Sequence, residues 1–312
     1  MSDMASLVNK IIKFTTDPYF RFKIMSSYGF LKGMPDEEYI KRQYQYITGL
    51  KLNLDNPQRF NEKLNWLKLY YRKPVFTTMV DKYAVKDYLK PIIGERHIVP
   101  LLGVWNHFDE IDFDRLPAKF VLKTTHGSGG IFICRDKKTF DYKEAKRRLD
   151  RALGRNYYYS SREWPYKDVI PRIIAEEYMQ DGDTLNLNVY KVFCFSGEPA
   201  LIQTIQNDKT KDETIDYFDT SWNLQELRQN FPNSKHPLSK PKTLDEILRL
   251  SRLCSKGFPF LRTDWYEING EVYFSEFTFF TDAGYQPFYP DEWDIKLGKL
   301  VTLPLDENVF AR

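Results

Sequence analysis

The chain has 312 residues, of which 42% are hydrophobic and 16% aromatic, enough for a sizeable core in one large or two moderate domains. Its 46 basic residues nearly balance its 43 acidic ones, which excludes the strongly basic surface typical of nucleic-acid-binding proteins. Cys134, Cys194 and Cys254 are widely spaced without a CxxC pair, which indicates reduced thiols in a cytoplasmic protein. No secretory signal is recognisable, and every apolar run is far shorter than the roughly 18 residues of a membrane span.

The first part of the chain, residues 1–78, has the pattern of a mostly helical region. Apolar residues at positions 7–14 recur at helical spacing and predict a helix that packs against the body, although a surface-seeking helix has the same pattern. Residues 36–47 predict a second helix, for which Gly49 is a suitable end, and a third helix begins at residue 61. Nothing in this region has the pattern of a catalytic site.

A glycine-rich loop lies between two short predicted strands. Residues 120–123, FVLK, predict an apolar strand that ends in Lys123, and residues 131–134, IFIC, predict the next strand. The loop between them, TTHGSGG, is not a P-loop or a Rossmann turn, because no helix follows it. It could be an ordinary Ser/Gly turn or a flexible flap that lays backbone N–H groups on phosphates. Lys123 favours the flap, because a lysine at the end of an apolar strand needs an anion.

Two further segments lie between this loop and the next strand. Residues 141–153 predict a helix whose many basic side chains form a solvated face. Residues 156–166, NYYYSSREWPY, mix aromatic and polar side chains. Such a loop could pack against sugar rings or only anchor itself, and the sequence leaves both readings open.

The second half of the chain is predicted to be mostly β-structure. Residues 172–179 predict a strand that ends in two acids, and residues 185–205 predict a hairpin. Residues 207–223 are predicted to be a loop. Residues 243–246, TLDE, have the form of a capping box and begin a helix. The tail from Trp293 is short and mixed in composition.

The stretch RTDWYEINGEVYFSEFT, residues 262–278, predicts a β-hairpin, because two aromatic and β-branched runs flank Asn269-Gly270. A two-residue turn is the commoner form, and it would pair Asp264 with Ser275 and place Glu276 on the opposite face. A three-residue turn begins one residue earlier, ends at a left-handed glycine and shifts the register by one.

Charged residues in this aromatic hairpin are costly unless they are paired or bind an ion. With the three-residue turn, Glu276 lies opposite Arg262, and Arg262, Asp264, Glu276 and Thr278 share one face. The diagonal spacing of about 7–8 Å allows two carboxylates to hold one hard cation. We predict the three-residue turn because it gathers the polar groups in one place.

The chain thus carries an ordered series of charged positions: Lys82, Lys123 with its glycine loop, Glu176-Glu177, Lys191, Arg262-x-Asp264 and Glu276-x-Thr278. This order resembles the ATP-grasp fold, and more closely the TupA-like ATP-grasp family, which is associated with teichuronopeptide and other bacterial surface-polysaccharide biosynthesis. The resemblance covers residues 34–304 and rests on NPQRFNEKLNWLKLYYRKP, DKYAVKDYL, FVLKTTHGSGG, EWPYKDVIPRIIAEEYM, YKVFCFSGEP and RTDWYEINGEVYFSEFTFF.

The resemblance implies an α+β fold in which two lobes with antiparallel sheets clamp ATP. A mostly helical region, residues 1–78, would precede the N-terminal lobe with its glycine-rich flap, residues 79–180. The C-terminal lobe with the metal-binding hairpin would comprise residues 181–312.

The resemblance also implies an ATP site. Lys123 would contact the phosphates, and the flap would cover them with Gly127, Ser128, Gly129 and Gly130. The interlobe strand would read adenine through the backbone of Glu176, Glu177, Tyr178 and Met179. Asp183 would hold the ribose hydroxyls.

The implied metal and catalytic residues lie on the hairpin and the strand before it. Asp264, Glu276 and Thr278 would hold Mg²⁺, Arg262 would stabilise the transferred phosphoryl group, and Lys191 would be a second phosphate or substrate cation. The usual metal motif ends Glu-x-Asn, so Thr278 weakens this site, although a hydroxyl still binds a metal or its water. The family commonly has an acid two residues before the lysine matching Lys191, where this chain has valine.

The activity that the resemblance implies is an ATP-dependent carboxylate–amine ligase that acts through an acyl phosphate. The acceptor carboxylate would belong to a small molecule or to a surface glycan such as a capsule, O-antigen or teichuronopeptide-like chain, and the amine to an amino acid or peptide. Phosphoryl transfer needs positioning and charge neutralisation rather than a protein nucleophile, which agrees with these residues. The implied partners include no nucleic acid, and peripheral association with membrane-bound glycan machinery is compatible with the absence of a membrane span.

Three other functions fit the same sequence. The first is a kinase that phosphorylates a sugar or glycan on the same fold. The second is a glycosyltransferase of polysaccharide biosynthesis, for which Asp181-Gly182-Asp183 has the form of a DxD motif. The third is a non-catalytic assembly protein with a degenerate ATP site.

Overall fold

The computed structural model describes residues 8–9, 12–182 and 187–304, and it contains two antiparallel sheets with helices before and around them. The predicted α+β class is therefore confirmed. Residues 12–16 are helical, but Val8, Ile12 and Phe14 are exposed, so the predicted packing of the first apolar stripe is wrong for its described part. The helices that follow are α1 (Pro18–Ser27), α2 (Asp36–Thr48), α3 (Phe60–Tyr70) and α4 (Val75–Val80).

The first sheet contains the strands on both sides of the glycine-rich loop. Its strands, in the spatial order β1-β4-β2-β3, are β1 (Leu101–Trp105), β2 (Phe120–Thr124), β3 (Ile131–Cys134) and β4 (Ile173–Glu177). Three helices occur in this part of the chain: α5 (Ala84–Ile93), α6 (Tyr142–Leu153) and α7 (Tyr158–Ser161). Helix α6 packs against this sheet, whereas α5 contributes to the core of the second sheet. Phe120 and Leu122 of β2 are fully buried with Leu149 of α6 in one core. This packing fixes β2, so that the opposite face of the strand presents Lys123.

The second sheet carries the hairpin of residues 262–278. Its strands, in the spatial order β7-β6-β5-β8-β9, are β5 (Val189–Phe195), β6 (Glu198–Gln206), β7 (Thr214–Phe218), β8 (Phe260–Ile268) and β9 (Glu271–Thr278). Two helices accompany it: α8 (Leu244–Ser255) and α9 (Glu292–Leu300). No helix within the described ranges is long and apolar enough to cross a membrane.

Three sequence predictions in this half are wrong in detail. β7 lies within the predicted loop, and α9 occupies the tail for which no element was predicted. Helix α8 begins where it was expected, but Thr243 does not form the capping box. Its backbone N–H and its hydroxyl both donate to Oε1 of Glu267 at 3.0 Å. The side chain is therefore used for a contact with β8 rather than for the helix end.

Helix α3 packs against the second sheet although it lies far from it in sequence. The Phe60 ring is buried and stands edge-on to the Phe260 ring of β8 at 4.9 Å between centroids. The Asn61 side chain donates to the carbonyl oxygen of Gln286 at 2.9 Å, and Lys63 donates to that of Val301 at 2.7 Å. The helical region thus contributes to the core of the second sheet, and a domain boundary at residue 78 stays a prediction.

Candidate functional site

The β8–β9 hairpin has a two-residue turn, so the predicted three-residue turn is wrong. Ile268 pairs with Glu271, which leaves Asn269 and Gly270 as the turn, with φ values of 52° and 81°. Positive φ at both central residues is the reason that Asn-Gly is favoured in tight hairpins. The preference of Asn-Gly for a two-residue turn therefore determined the turn type.

A bulge at Ser275 changes the register that this turn would otherwise impose. Trp265 pairs with Phe274, whereas Asp264 pairs with Glu276, so that Ser275 is the extra residue. One additional residue moves every following side chain to the other face of the strand. The two carboxylates are consequently directly opposite each other.

The face that was predicted for the hairpin is present with a different register. Arg262 pairs with Thr278, and Asp264 pairs with Glu276. Because alternate residues of a strand share a face, all four side chains lie on the same side. Thr278, and not Glu276 as predicted, is therefore the residue opposite Arg262.

Arg262 and Asp264 form a buried bidentate ion pair. Nε and Nη2 of Arg262 each donate to one carboxylate oxygen of Asp264 at 2.8 Å, and Nη1 donates to Oγ1 of Thr281 at 3.1 Å. Arg262 is 7% exposed and Asp264 is 1% exposed. Burial raises the pKa of Asp264, although Arg262 and Lys191 oppose this effect. The charge on Asp264 thus depends on its cationic neighbours.

Glu276 is the accessible carboxylate of the hairpin and has four cations around it. Its side chain is 41% exposed, and Oε1 lies 3.7 Å from Nη2 of Arg262. Desolvation would raise the pKa of Glu276, but Lys82, Arg262, Lys191 and Lys123 outweigh it and lower the pKa. Lys123 of the first sheet and Lys82, which lies just before α5, thus act on the hairpin of the second sheet together with Lys191.

Lys191 reaches the site because β5 is the neighbour of β8. It pairs with Asp264 in the sheet, and its Nζ lies 3.8 Å from Oδ2 of that residue. Burial, and then Arg262, lower the pKa of Lys191, whereas Asp264 opposes them. Lys191 therefore lies where a further anion would stabilise its charged form.

Glu176 supplies a counter-ion for Lys123 that was not foreseen. Its two carboxylate oxygens each lie 2.5 Å from an ammonium group, Oε1 from Lys86 and Oε2 from Lys123. Desolvation would lower the pKa of Lys123, but Glu176 outweighs it and the pKa is raised. The argument that Lys123 needs an external anion is therefore wrong, because Glu176 already meets that need. Lys123 still lies close enough to Glu276 to affect its pKa.

The glycine flap is fixed at its base and exposed at its tip. The N–H of Thr124 donates to the carbonyl oxygen of Gly130 at 2.8 Å, and Nζ of Lys82 donates to that of Gly127 at 2.7 Å. A Cβ atom at Gly130 would lie 2.1 Å from Oγ1 of Thr124, so only glycine fits there. Residues 128–129 are exposed. The flap thus has a rigid start and an accessible backbone at its tip.

His126 has a structural position within this loop. The ring is 4% exposed, and Nε2 contacts the carbonyl oxygens of Ala152 and Arg155 at 3.1 and 3.0 Å. Two carbonyl acceptors require that Nε2 carries the proton. His126 therefore ties the base of the flap to the end of α6.

The segment after β4 is bound to the turn of the hairpin. The N–H of Gly182 donates to Oδ1 of Asn269 at 3.2 Å, and the N–H of Asn269 donates to Oδ1 of Asp181 at 2.9 Å. Residues 177–179, which were assigned to adenine, are exposed or half-buried beside this contact. Asp183, which was assigned to ribose, lies outside the described residues.

The chain matches the model of a known protein family. The model of the TupA-like ATP-grasp family matches residues 62–302, a range that includes both sheets, the flap and the hairpin. The chain belongs to the TupA-like ATP-grasp family. The resemblance noted in the sequence and the predicted ATP-grasp fold are thereby confirmed. A comparison with curated proteins found no match.

Solved structures of ATP-grasp ligases are similar to this TupA-like protein. D-alanine–D-alanine ligase from Helicobacter pylori is 17% identical with a TM-score of 0.42, over 79% of this chain and 70% of that one. The Bacillus anthracis ligase complexed with ATP is 17% identical with a TM-score of 0.39, over 64% and 55%. The ATP-grasp ligase PsnB complexed with minimal precursor is 9% identical with a TM-score of 0.37, over 67% and 55%. The chain thus spans between 55% and 70% of the lengths of these structures, and similarity at this level carries no argument about activity.

The side chains of this TupA-like protein suit Mg²⁺ that is shared with phosphates. Within the described ranges, no group of three or more His, Cys, Asp or Glu side chains could hold a metal by itself. The hairpin instead offers Asp264, Glu276 and the Thr278 hydroxyl on one face. Mg²⁺ is usually bound by one or two carboxylates together with substrate phosphates and waters. The donor set therefore fits a metal bound with a nucleotide.

The turn directly after β9 is strained. Asp282 and Ala283 have φ values of 47° and 53°, which cost free energy for residues other than glycine. Nζ of Lys68 donates to the carbonyl oxygen of Ala283 at 2.5 Å and so holds the turn. The turn brings Oγ1 of Thr281 to 3.1 Å from Nη1 of Arg262, which donates a hydrogen bond to it. The charge of Asp282 acts to raise the pKa of Lys191. Non-glycine residues in this region often mark functional sites.

The lysine that supports this turn is part of a buried pair. Burial lowers the pKa of Lys68 to about 7, with Glu163 opposing it, and burial raises the pKa of Glu163 to about 7, with Lys68 opposing it. A signal for this pair was available in the sequence, because Lys68 lies four residues after Leu64 on the apolar face of α3.

Proposed function

We propose that this TupA-like protein is an ATP-dependent carboxylate–amine ligase. The observation that carries the proposal is the position of the facing Asp264 and Glu276 carboxylates among three lysines and Arg262. A site with more cations than carboxylates suits a triphosphate with its metal. Phosphoryl transfer is catalysed mainly by positioning and by neutralisation of charge.

Different residues of the chain are proposed to bind different parts of the nucleotide. The flap, with Gly127, Ser128, Gly129 and Gly130, would offer backbone N–H groups to phosphates, and residues 128–129 at its tip are exposed. Lys123 and Lys191 offer ammonium groups, and residues 176–179 offer backbone groups to adenine. Glu176 has the additional task of orienting Lys123. Asp183 is proposed for the ribose hydroxyls on the resemblance alone.

The metal and phosphoryl positions lie on the hairpin. Asp264, Glu276 and Thr278 would hold Mg²⁺, which neutralises phosphate charge when it is bound. The guanidinium of Arg262 is oriented by both oxygens of Asp264 and by Thr281. A fixed guanidinium is suited to stabilise charge on a phosphoryl group in transfer.

The proposed reaction has two steps. An oxygen of the acceptor carboxylate attacks the γ-phosphorus of ATP, the bond to the bridging oxygen breaks, and ADP and an acyl phosphate form. The amine nitrogen then attacks the acyl carbon, phosphate leaves with its bonding electrons, and the nitrogen loses a proton. The product is an amide.

The acceptor is proposed to be a carboxylate of a bacterial surface polysaccharide, and the amine that of an amino acid or peptide. This part follows from the association of the family with surface-polysaccharide biosynthesis. The buried, free cysteines agree with a cytoplasmic reaction, from which the protein would reach membrane-bound glycan intermediates by peripheral association.

The test follows phosphate release from ATP and Mg²⁺ with candidate acids, with and without amines. We expect release that needs both the acid and the amine, an amide in the product mass, and loss of release with Glu276→Ala. Release that never depends on an amine contradicts a ligase. A phosphorylated acceptor as the stable product would identify a kinase, and binding of a UDP-sugar without binding of ATP would identify a glycosyltransferase.

A further inference from the structure

A cleft of about 750 Å³ lies beside the flap. Its walls are α1 with the turn that follows it, the end of α6, the segment after α6, and the flap residues from Thr124 to Gly129. We call it the flap cleft. Its volume is within the range of about 300–1,000 Å³ that is typical of small-molecule sites. The cleft is therefore large enough to hold several groups of a ligand.

The flap cleft is rich in cations. Its basic residues are Lys23 and Lys32 from one wall and Arg148, Arg151 and Arg155 from the other. Among the described residues that line it, none is Asp or Glu. None of the five forms an ion pair with any residue that the structure describes. Such a surface attracts a negatively charged ligand.

Helix α6 provides an internal comparison for this conclusion. Arg147 is paired with Glu144 at 2.6 Å, and Lys146 is paired with Asp109 at 2.5 Å. Arg148 and Arg151, three residues apart and so neighbours on the helix, face the cleft instead. Both arginines are exposed, as predicted for the basic face of this helix, and they also line the cleft. Neither forms an ion pair within the described residues, although Arg148 lies over the Phe132 ring at 5.3 Å.

The remaining lining groups suit sugars better than a peptide. Tyr28 is 75% exposed at the mouth, and Tyr157 and Tyr159 line the cleft further along. Flat aromatic surfaces of this kind can pack against sugar rings. Ser128 adds an exposed hydroxyl group from the flap, and hydroxyl groups exchange hydrogen bonds with hydroxylated ligands.

The flap cleft also adjoins the proposed reaction site. Gly127 lines the cleft and accepts the hydrogen bond from Lys82, which is one of the cations around Glu276. Tyr157 lines the cleft, and Glu163, burial and Glu276 raise the pKa of its hydroxyl. The flap cleft and the hairpin site are therefore linked through Gly127 and Tyr157.

We infer that the flap cleft binds the acceptor, and that this acceptor is an acidic oligosaccharide whose sugars carry carboxylates. The conclusion that the ligand is the acceptor rests on the proposed ligase function. The chemistry of the ligand is inferred from the lining residues alone. Carboxylates of flanking sugars bind Arg148, Arg151 and Lys23, while one carboxylate extends past Tyr157 towards the site under the flap.

The experiment measures binding of three probes of equal length by titration calorimetry. Tetragalacturonate is the acidic oligosaccharide, maltotetraose the neutral one and tetraglutamate the acidic peptide. The proteins are the wild type, the double variant Arg148→Ala/Arg151→Ala, and Arg147→Ala as the matched control on the same helix. If circular dichroism shows that the double variant does not fold, Lys23→Ala on the opposite wall of the cleft is measured in its place.

We expect tetragalacturonate to bind more tightly than either other probe, and more weakly at high salt. Loss of two exposed cations at about 0–1 kcal/mol each should weaken its binding about tenfold in the double variant. Arg147→Ala should bind as the wild type does. The inference is overturned if no probe binds, if the double variant binds tetragalacturonate unchanged, or if tetraglutamate binds as tightly.

Binding of Mg-ATP to the wild type, measured separately, distinguishes the two proposals. If tetragalacturonate binds but Mg-ATP does not, the ligase function fails and the flap cleft remains an acidic-glycan site. If Mg-ATP is turned over but tetragalacturonate does not bind, the flap cleft assignment alone fails.

Discussion

Removal of the Asp264 carboxylate should cost much more stability than removal of the Glu276 carboxylate, although the two residues face each other. Asp264→Ala leaves the guanidinium of Arg262, 7% exposed, without the two hydrogen bonds at 2.8 Å that balance its burial. Removal of one partner of a buried ion pair costs about 3–5 kcal/mol. Glu276 is 41% exposed and lies 3.7 Å from Arg262, so Glu276→Ala should cost about 0–1 kcal/mol.

The difference should be visible in thermal unfolding. One kcal/mol corresponds to roughly 2–4 °C for domains of about 150–250 residues, so Asp264→Ala should lower Tm by roughly 6–20 °C and Glu276→Ala by less than about 4 °C. Circular dichroism melts in metal-free and nucleotide-free buffer, with urea unfolding as the second measurement, provide the test. Asp264→Asn, which keeps the shape and one acceptor oxygen, should give an intermediate value.

The same pair of variants should behave alike in activity. Both should lose Mg²⁺-dependent turnover, because each removes one of the two carboxylates on the metal-binding face. Equal losses of Tm for Asp264→Ala and Glu276→Ala would refute the reasoning, since burial of the Arg262–Asp264 pair would then have no energetic consequence.

Three further predictions concern the flap and its base. Lys123→Ala should weaken Mg-ATP binding roughly 10–150-fold, the equivalent of one hydrogen bond to a charged group at about 1.5–3 kcal/mol; an unchanged Kd in calorimetry would contradict the flap assignment. Burial lowers the pKa of His126 below its usual 6.5, so its stabilising contribution is present above pH 6.5 and is lost as the pH falls and the unfolded chain takes up the proton. The difference in unfolding free energy between wild type and His126→Gln should therefore shrink between pH 7.5 and 5.5 in urea titrations, and a constant difference would count against the buried neutral ring. Gly130→Ala places a Cβ atom 2.1 Å from Oγ1 of Thr124 and should raise the Kd for Mg-ATP, with partial rescue by Thr124→Ala; an unaltered Kd would show that the flap base adapts freely.

The hairpin shows which part of a site can be predicted from sequence. Asn269-Gly270 indicated a tight turn, and this local signal was right even though the chemistry of the charged residues was taken to favour a longer turn. The bulge at Ser275 restored the shared face, and nothing in the residue type of a serine between Phe274 and Glu276 marks such an insertion. The grouping of charges was predicted correctly from a wrong register.

Contacts between segments that are distant in the chain were the hardest to predict from the sequence. Glu176 was predicted as an acid at a strand end. Its ion pairs with Lys86 and Lys123, however, depend on how β4 pairs with β2 and on where α5 lies. Strand β7 was missed because its segment is polar in sequence, although Asp216 is 1% exposed and accepts a hydrogen bond from the N–H of Ser234. A polar composition therefore concealed a buried strand.

The contact between α3 and the turn after β9 has a consequence for synthesis on the ribosome. Nζ of Lys68 and the carbonyl oxygen of Ala283 are 215 positions apart in the chain. At about 5–20 residues per second, roughly 10–40 s pass between the emergence of the helix and that of its partner. Until Phe195 and Phe260 are synthesised, the Phe60 ring of α3 lacks the aromatic neighbours that it has in the fold, so a nascent chain of this protein should be a substrate for chaperones that shield exposed aromatic surface.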